Sequence, residues 1–172
     1  MHILTRKTLV LLLSMLSGFC ISLSNVSAQE FDSETKGIYS LSLKSLSKPE
    51  IVSLNTVKNK HLLISFFEPE CRWCYRQLRM LNKLQQTCDD NIQPIMIGIH
   101  GTRQALQQEL RLINVTLPAF EASEALLTLT GNIDATPITF IVNEDGAITQ
   151  RLRGYTPNHA IYQQLCPSAK LL

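Results

Sequence analysis

Cys71 and Cys74, separated by Arg72 and Trp73, are the residues of this chain whose type and spacing can do chemistry. Two thiols with two residues between them at a helix start can close a small disulfide ring, and the first stays the more exposed. Behind them Cys74, Leu78, Leu81, Gln85 and Cys88 recur at the spacing of one helical face. Cys71 thus falls near a helix N-terminus, where unpaired N–H groups and the helix dipole favour a thiolate over a thiol. That is the chemistry of an activated cysteine. The competing readings are half of a zinc site and an inert structural disulfide. A four-ligand zinc site needs two more Cys or His at compact spacing, and neither the distant cysteines nor His61, His100 and His159 supply a recognisable second half. No metal or other cofactor is expected. Arg72 either supports the Cys71 thiolate with its charge or is solvated on an exposed turn. Trp73, the only tryptophan, presents a flat apolar surface beside the pair, as a substrate contact or as packing.

The elements that hold the pair follow from apolar periodicity. Leu62 to Phe67 is a short apolar run, the pattern of a strand buried on both faces, and Ile92 to Ile99 is a second strongly apolar strand. Strand, helix, strand of this length forms a right-handed crossover with a parallel pair. Upstream, Ile38 to Leu46 alternates apolar with Ser and Lys and predicts an exposed or edge strand, and Ile51 to Leu54 a further extended piece. Downstream, Thr102 caps a helix carrying Leu106, Leu110 and Ile113, Leu117 to Phe120 is an extended link, and Ser123 to Leu129 a short helix stopped at Gly131. Ile138 to Val142 and Ala147 to Leu152 form a hairpin around Asn143-Glu144-Asp145-Gly146. Thr156 and Pro157 start a last helix with Ile161 and Leu165.

With 172 residues, 45% of them hydrophobic, the chain is long enough for one domain with a real core. Arg6 and Lys7, the apolar run Leu9 to Leu16 and Val26-Ser27-Ala28 read as a signal peptide cleaved after Ala28, with an uncleaved anchor as the alternative. Phe19 before Cys20 argues against lipid attachment. Cleavage removes two cations and no acid, leaving 14 basic and 14 acidic side chains and no formal charge. Nothing in that balance asks for a nucleic acid. Residues 29–37 read as a flexible lead-in and 38–172 as the folded domain. Four cysteines remain after cleavage, Cys71, Cys74, Cys88 and Cys166, an even number that suits an oxidising compartment.

The element order, with Phe66-Phe67, Cys71-Arg72-Trp73-Cys74, Ala135-Thr136-Pro137-Ile138 through Ile148, and Gly154-Tyr155-Thr156, resembles the TlpA/ResA/DsbE-like family of periplasmic thioredoxins. The resemblance spans essentially the whole mature domain. It implies an α/β thioredoxin fold, a central mixed sheet flanked by helices, here with an N-terminal β extension. It also implies a periplasmic thiol-disulfide oxidoreductase acting through Cys71 and Cys74 on exported protein thiols and disulfides, more as a reductase than an oxidant. A DsbD- or CcdA-like membrane carrier would return the electrons, and a monomer is expected. Thr136-Pro137 resembles the cis-proline loop facing the cysteines, with Thr136 free to pair with an extended substrate; a trans proline opening a strand is the plainer alternative. In this fold the cysteine helix and the last helix share a sheet face, which implies a Cys88–Cys166 structural disulfide. Closing a loop of roughly 80 residues, it contributes on the order of 4 kcal/mol in the chain-entropy treatment. Unpaired thiols or a second redox relay are the alternatives.

Three departures bear on pKa tuning. Ser65 stands where thioredoxins proper carry a buried Asp, Gln77 where many ResA-like proteins carry Glu, and Glu70 where a Trp usually precedes the first cysteine. Glu70 opposes Arg72 and raises the Cys71 pKa. Glu68 or Glu70 either substitutes for the missing carboxylates or is a surface charge. Rival functions are an oxidase or isomerase on the same fold and a copper-binding assembly chaperone using Cys71, Cys74 and a histidine.

Overall fold

A computed structural model describes residues 37–88, 91–157 and 159–166. The expected signal peptide, nearly all of the lead-in and the loop residues Asp89 and Asp90 lie outside the described residues.

The strands are β1 (Ser42–Lys44), β2 (Ile51–Ser53), β3 (His61–Phe67), β4 (Ile92–Gly98), β5 (Ala119–Glu121), β6 (Ile138–Val142) and β7 (Ile148–Arg153). The helices are α1 (Arg72–Thr87), α2 (Arg103–Ile113), α3 (Glu124–Thr130) and α4 (Ala160–Leu165). Five strands form a mixed sheet in the order β5-β4-β3-β6-β7, while β1 and β2 pair as a separate antiparallel ribbon. β3 lies in the middle, parallel to β4 and antiparallel to β6.

The period of two in a strand decides which side chain meets which layer. Leu63 and Phe67 of β3 and Ile141 of β6 face a cluster with Leu78 and Leu81 of α1, Leu106 of α2 and Tyr162 of α4. Leu62, Ile64 and Phe66 face the opposite layer, with Leu126 of α3 and Ile38, Tyr39 and Leu54 of the N-terminal segment. Full burial of side chains of this size stabilises by roughly 1.5–3 kcal/mol each, which is why β3 reads as apolar sequence broken after His61 only by Ser65. Gly98 ends β4 where α2 crosses closely; a Cβ there would lie 2.8 Å from both Leu106 methyl carbons.

Three local expectations need correction. Ile38 to Leu46 is not one strand: Ile38–Ser40 is a 3-10 turn and only Ser42–Lys44 is extended. Ile38 and Tyr39 are adjacent and both buried, which an alternating strand cannot achieve. The link at 117–120 runs into β5, whose backbone pairs parallel with β4 from Met96 to Gly98. The last helix begins at Ala160 with His159 as its N-cap, three residues beyond Pro157. The imidazole accepts the Ile161 N–H, a capping role that Thr156 gives up because its hydroxyl and N–H turn inward to Tyr162 and Gln77.

Both edges of the large sheet are occupied or charged. On the β5 side, Ser45 bridges to Phe120 and Leu46 N–H donates to the Ala119 carbonyl. On the β7 side, Arg151 and Arg153 project toward Asp134 at 3.2 and 2.7 Å.

Candidate active site

α1 starts at the C-terminal end of β3 after a turn formed by residues 68–71. Cys71 is its N-cap, with φ −84° and ψ 91°, and its sulfur accepts the Cys74 N–H at 3.2 Å. Cys71 and Cys74 are joined in a disulfide with Cα atoms 5.2 Å apart. Cys74 is fully buried and Cys71 partly exposed, so only the first sulfur can be approached from solvent. Arg72 is exposed, as is Glu70, whose φ of 62° is left-handed. Neither forms an ion pair or hydrogen bond among the described residues, so neither is tied to the cysteine pair by one.

Trp73 is 52% exposed, a high value for the largest side chain. It stacks on Tyr155 with ring centroids 6.2 Å apart, and the Arg76 guanidinium lies 4.9 Å from its ring centre. Tyr155 follows β7, so the aromatic surface beside the pair is built from two distant parts of the chain. Tyr75 faces the other way and donates to Glu109 of α2, which pushes its phenol up to about 12, helped by burial.

Thr136 and Pro137 come to the pair from the loop before β6. Their peptide bond is cis. The Pro137 carbonyl accepts Gly154 N–H at 2.8 Å, which ties this loop to the end of β7. Thr136 Oγ1 lies 3.4 Å from Cys71 Sγ and 2.5 Å from Glu68 Oε1. The other Glu68 oxygen meets His100 Nδ1 at 2.8 Å. The Thr136 hydroxyl, and after it His100, hold the Glu68 carboxyl below the usual carboxylate range. Glu68 rather than Glu70 is therefore the carboxylate connected to the cysteines. His100 was not a site candidate from sequence; it reaches Glu68 because Gly101 lets the loop after β4 pack on Pro69, where a Cβ would come within 2.7 Å of the ring.

Ser65 and Gln77, where the resemblance leads one to expect carboxylates, are fully buried and joined through Thr139 by hydrogen bonds. Ser65 Oγ and Gln77 Nε2 each lie 3.1 Å from Thr139 Oγ1. Gln77 Nε2 also donates to Tyr162 Oη at 3.1 Å, and its carbonyl accepts the Thr156 N–H at 3.0 Å. Thr139, Thr156 and Tyr162 carry no sequence signal for this role, since they are 62, 79 and 85 residues from Gln77. Burial raises the Tyr162 phenol, so the cluster is uncharged at neutral pH. No buried side-chain N or O lacks a partner among the described residues.

At the foot of α1, Cys88 is the C-cap and is disulfide-bonded to Cys166 at the end of α4, with Cα atoms 5.4 Å apart. No group of three or more metal-ligating side chains occurs among the described residues. None of the described helices is long and apolar enough to cross a membrane.

No protein-family model matches the sequence, and no curated protein matches it. Solved structures do. A secreted Mycobacterium tuberculosis disulfide oxidoreductase homologous to E. coli DsbE superposes with a TM-score of 0.58 at 14% identity, covering 74% of this chain and 95% of that one. A thiol:disulfide interchange protein of the thioredoxin family from Chlorobium tepidum gives 0.63 at 16% identity, over 75% and 92% of the two chains. StoA from Bacillus subtilis gives 0.58 at 17%, over 72% and 93%. These likenesses, with the sheet order and the helix-capping cysteine described above, show that the chain has the thioredoxin fold.

Proposed function

We propose that the protein is an exported thiol-disulfide oxidoreductase that works as a reductase of protein disulfides. The observation that carries the exchange chemistry is the asymmetry of the pair, with Cys71 partly exposed at a helix N-cap and Cys74 buried one turn on, while the reducing direction is what the family resemblance implies. In the reducing direction the Cys71 thiolate attacks one sulfur of a substrate disulfide, forming a mixed disulfide and expelling the other sulfur as a thiolate, which takes a proton from solvent. Cys74, after losing its proton, attacks Cys71 Sγ; the mixed disulfide breaks, the second substrate thiol leaves, and Cys71–Cys74 is oxidised by two electrons. A dithiol donor on the membrane, of the DsbD or CcdA kind, restores the reduced pair.

The roles of the neighbours follow from their positions. Trp73 stacked on Tyr155 offers an apolar platform, and the backbone of Thr136 before cis-Pro137 offers hydrogen bonds to an extended chain. A nearby cavity of about 840 Å³, lined by His100, Arg103, Glu121, Leu127 and Ile133 among others, includes neither cysteine. Cys71, the partly exposed member of the pair, is the sulfur open to a substrate that is itself a protein. The neighbours described as secreted or as interchange proteins support export and disulfide chemistry as the setting.

The deciding measurement is the reduction potential of the Cys71–Cys74 pair, taken with catalysed reduction of insulin disulfides. A potential near about −270 mV, that of thioredoxin, is expected, and one near about −120 mV, that of DsbA, overturns the reductase direction. Cys71→Ser should abolish turnover. Cys74→Ser should accumulate the mixed disulfide with substrate.

A further inference from the structure

One line of side chains ends on the reacting sulfur: His100, Glu68, Thr136, Cys71. Its members come from the turn before α1, the loop after β4 and the loop before β6, so the fold and not local sequence assembles it. We propose that Glu68, held by His100, is a positioning residue that keeps Cys71 protonated by commanding the Thr136 hydroxyl. This rests on the reading of Cys71 as the attacking cysteine.

A hydroxyl has one hydrogen to donate. Glu68 Oε1 lies 2.5 Å from Thr136 Oγ1 and Cys71 Sγ 3.4 Å, so the carboxylate takes that hydrogen and the sulfur meets an oxygen lone pair. An oxygen lone pair accepts from S–H and repels a thiolate. Two arrangements of the reduced site hold the same number of protons. In the first, Cys71 S–H donates to Thr136 Oγ1, whose own hydrogen lies on ionised Glu68. In the second, the Cys71 proton has passed to Thr136 as the Thr136 hydrogen passed to Glu68, leaving a thiolate and a neutral carboxylic acid. A carboxylic acid is the stronger acid by about four pKa units, so the first arrangement prevails.

The charged and titratable groups on the elements around the sulfur are few. Glu70, Arg72, Tyr75 and Arg76 lie on the turn and α1, His100 on the loop after β4, and Asp134 on the loop before β6. Tyr155 follows β7. Asp134 is engaged by Arg151 and Arg153, Tyr75 by Glu109 and Arg76 by the Trp73 ring. Glu68 alone among them reaches Cys71 through a hydrogen-bonding side chain. The N-terminus of α1 favours the Cys71 thiolate, and Glu68 works against it. A thiolate denied that stabilisation is a poorer leaving group and makes the reduced pair less stable relative to the disulfide, which moves the pair toward reduction of its partners.

The test titrates Cys71 by the ultraviolet absorbance of its thiolate in the folded Cys74→Ser protein. Glu68→Gln is nearly isosteric, and its amide can donate to Thr136 Oγ1 and turn the hydroxyl hydrogen onto the sulfur. It should lower the Cys71 pKa by about one unit, about tenfold more thiolate below the pKa. In a Thr136→Val background, or Thr136→Ala if valine is not accommodated, the same Glu68→Gln change should move the pKa by less than a third as much. Thr136→Ser should preserve the full shift. No shift or an upward shift on Glu68→Gln overturns the proposal, as does a shift that persists undiminished without the hydroxyl. A protein that reduces insulin while its Cys71 ignores Glu68 refutes this coupling alone. A protein whose Cys71 responds as described but reduces no disulfide refutes the proposed function alone.

Discussion

The two ends of α1 each close on a disulfide, and the two bonds differ in almost everything but their span. Their Cα separations are 5.2 and 5.4 Å. At the top, the partners are three residues apart, and hydroxyl, carboxylate and backbone N–H groups surround the more exposed sulfur. At the foot, the partners are 78 residues apart, and Cys166 is buried in the aliphatic layer that includes Leu84 and Tyr162. A disulfide is set to cycle or to hold by the access and polarity around its sulfurs. The length of chain it closes sets its worth to the fold. The upper loop is too short to restrict an unfolded chain much, and the lower one restrains most of the domain.

The sharpest way to break this comparison is to remove the lower bond. Cys88→Ala with Cys166→Ala should cost about 4 kcal/mol of unfolding free energy, read by urea denaturation, while insulin reduction by the folded fraction stays near wild type. A loss of activity without a loss of stability would make the lower pair a redox relay instead. Next in size is the polar cluster between the two ends. Gln77→Leu leaves Thr139, Tyr162 and the Thr156 N–H each short of a partner, and should destabilise by about 1–3 kcal/mol in the same denaturation experiment. Gln77→Glu sharpens the question, since it puts a carboxylate at the centre of this cluster. A charge buried there without a cation should be held protonated at neutral pH, visible as an upward-shifted carboxyl in a carbon-13 titration.

The smallest effect belongs to Glu68. Its folded carboxyl titrates below its unfolded value, first because of the Thr136 hydroxyl and then because of His100. The contribution is therefore fully present above the unfolded pKa of about 4.3 and is lost as pH falls through the folded value. The side chain is 33% exposed, so solvent screening keeps the contribution under about 1 kcal/mol. The stability difference between wild type and Glu68→Gln should shrink between pH 6 and pH 2, measured by urea midpoints, and a difference that grows toward acid would contradict the assignment.

What the sequence disclosed and what it hid divide along the same axis. β3, α1 and β4 were legible because burial on one or both faces writes itself into apolar period, and Cys71–Cys74 because the spacing alone brings the thiols together. The β1–β2 ribbon was legible only in outline, since Ile38 and Tyr39 pack side by side and break the alternation expected of a strand. The site was half legible. Thr136–Pro137 could be placed opposite the pair by resemblance, but Glu68 and Glu70 could not be ranked, because the turn at 68–71 and the His100 loop decide which carboxylate turns inward. Gln77 read as a missing charge. Its hydrogen bonds to Thr139, Thr156 and Tyr162 depend on long-range register that no local pattern encodes.

The closed edges of the sheet also limit how this protein can meet another chain. With the Ser45–Leu46 backbone against β5 and paired charges along β7, the ladder offers little purchase for an incoming strand. An unfolded client rich in unpaired strands is the kind of molecule that would otherwise nucleate co-aggregation on such a sheet. On the proposed function, the short backbone stretch before Pro137 is then where a client would dock in extended form. It would take one segment at a time, next to the sulfur, and let go once the exchange is over.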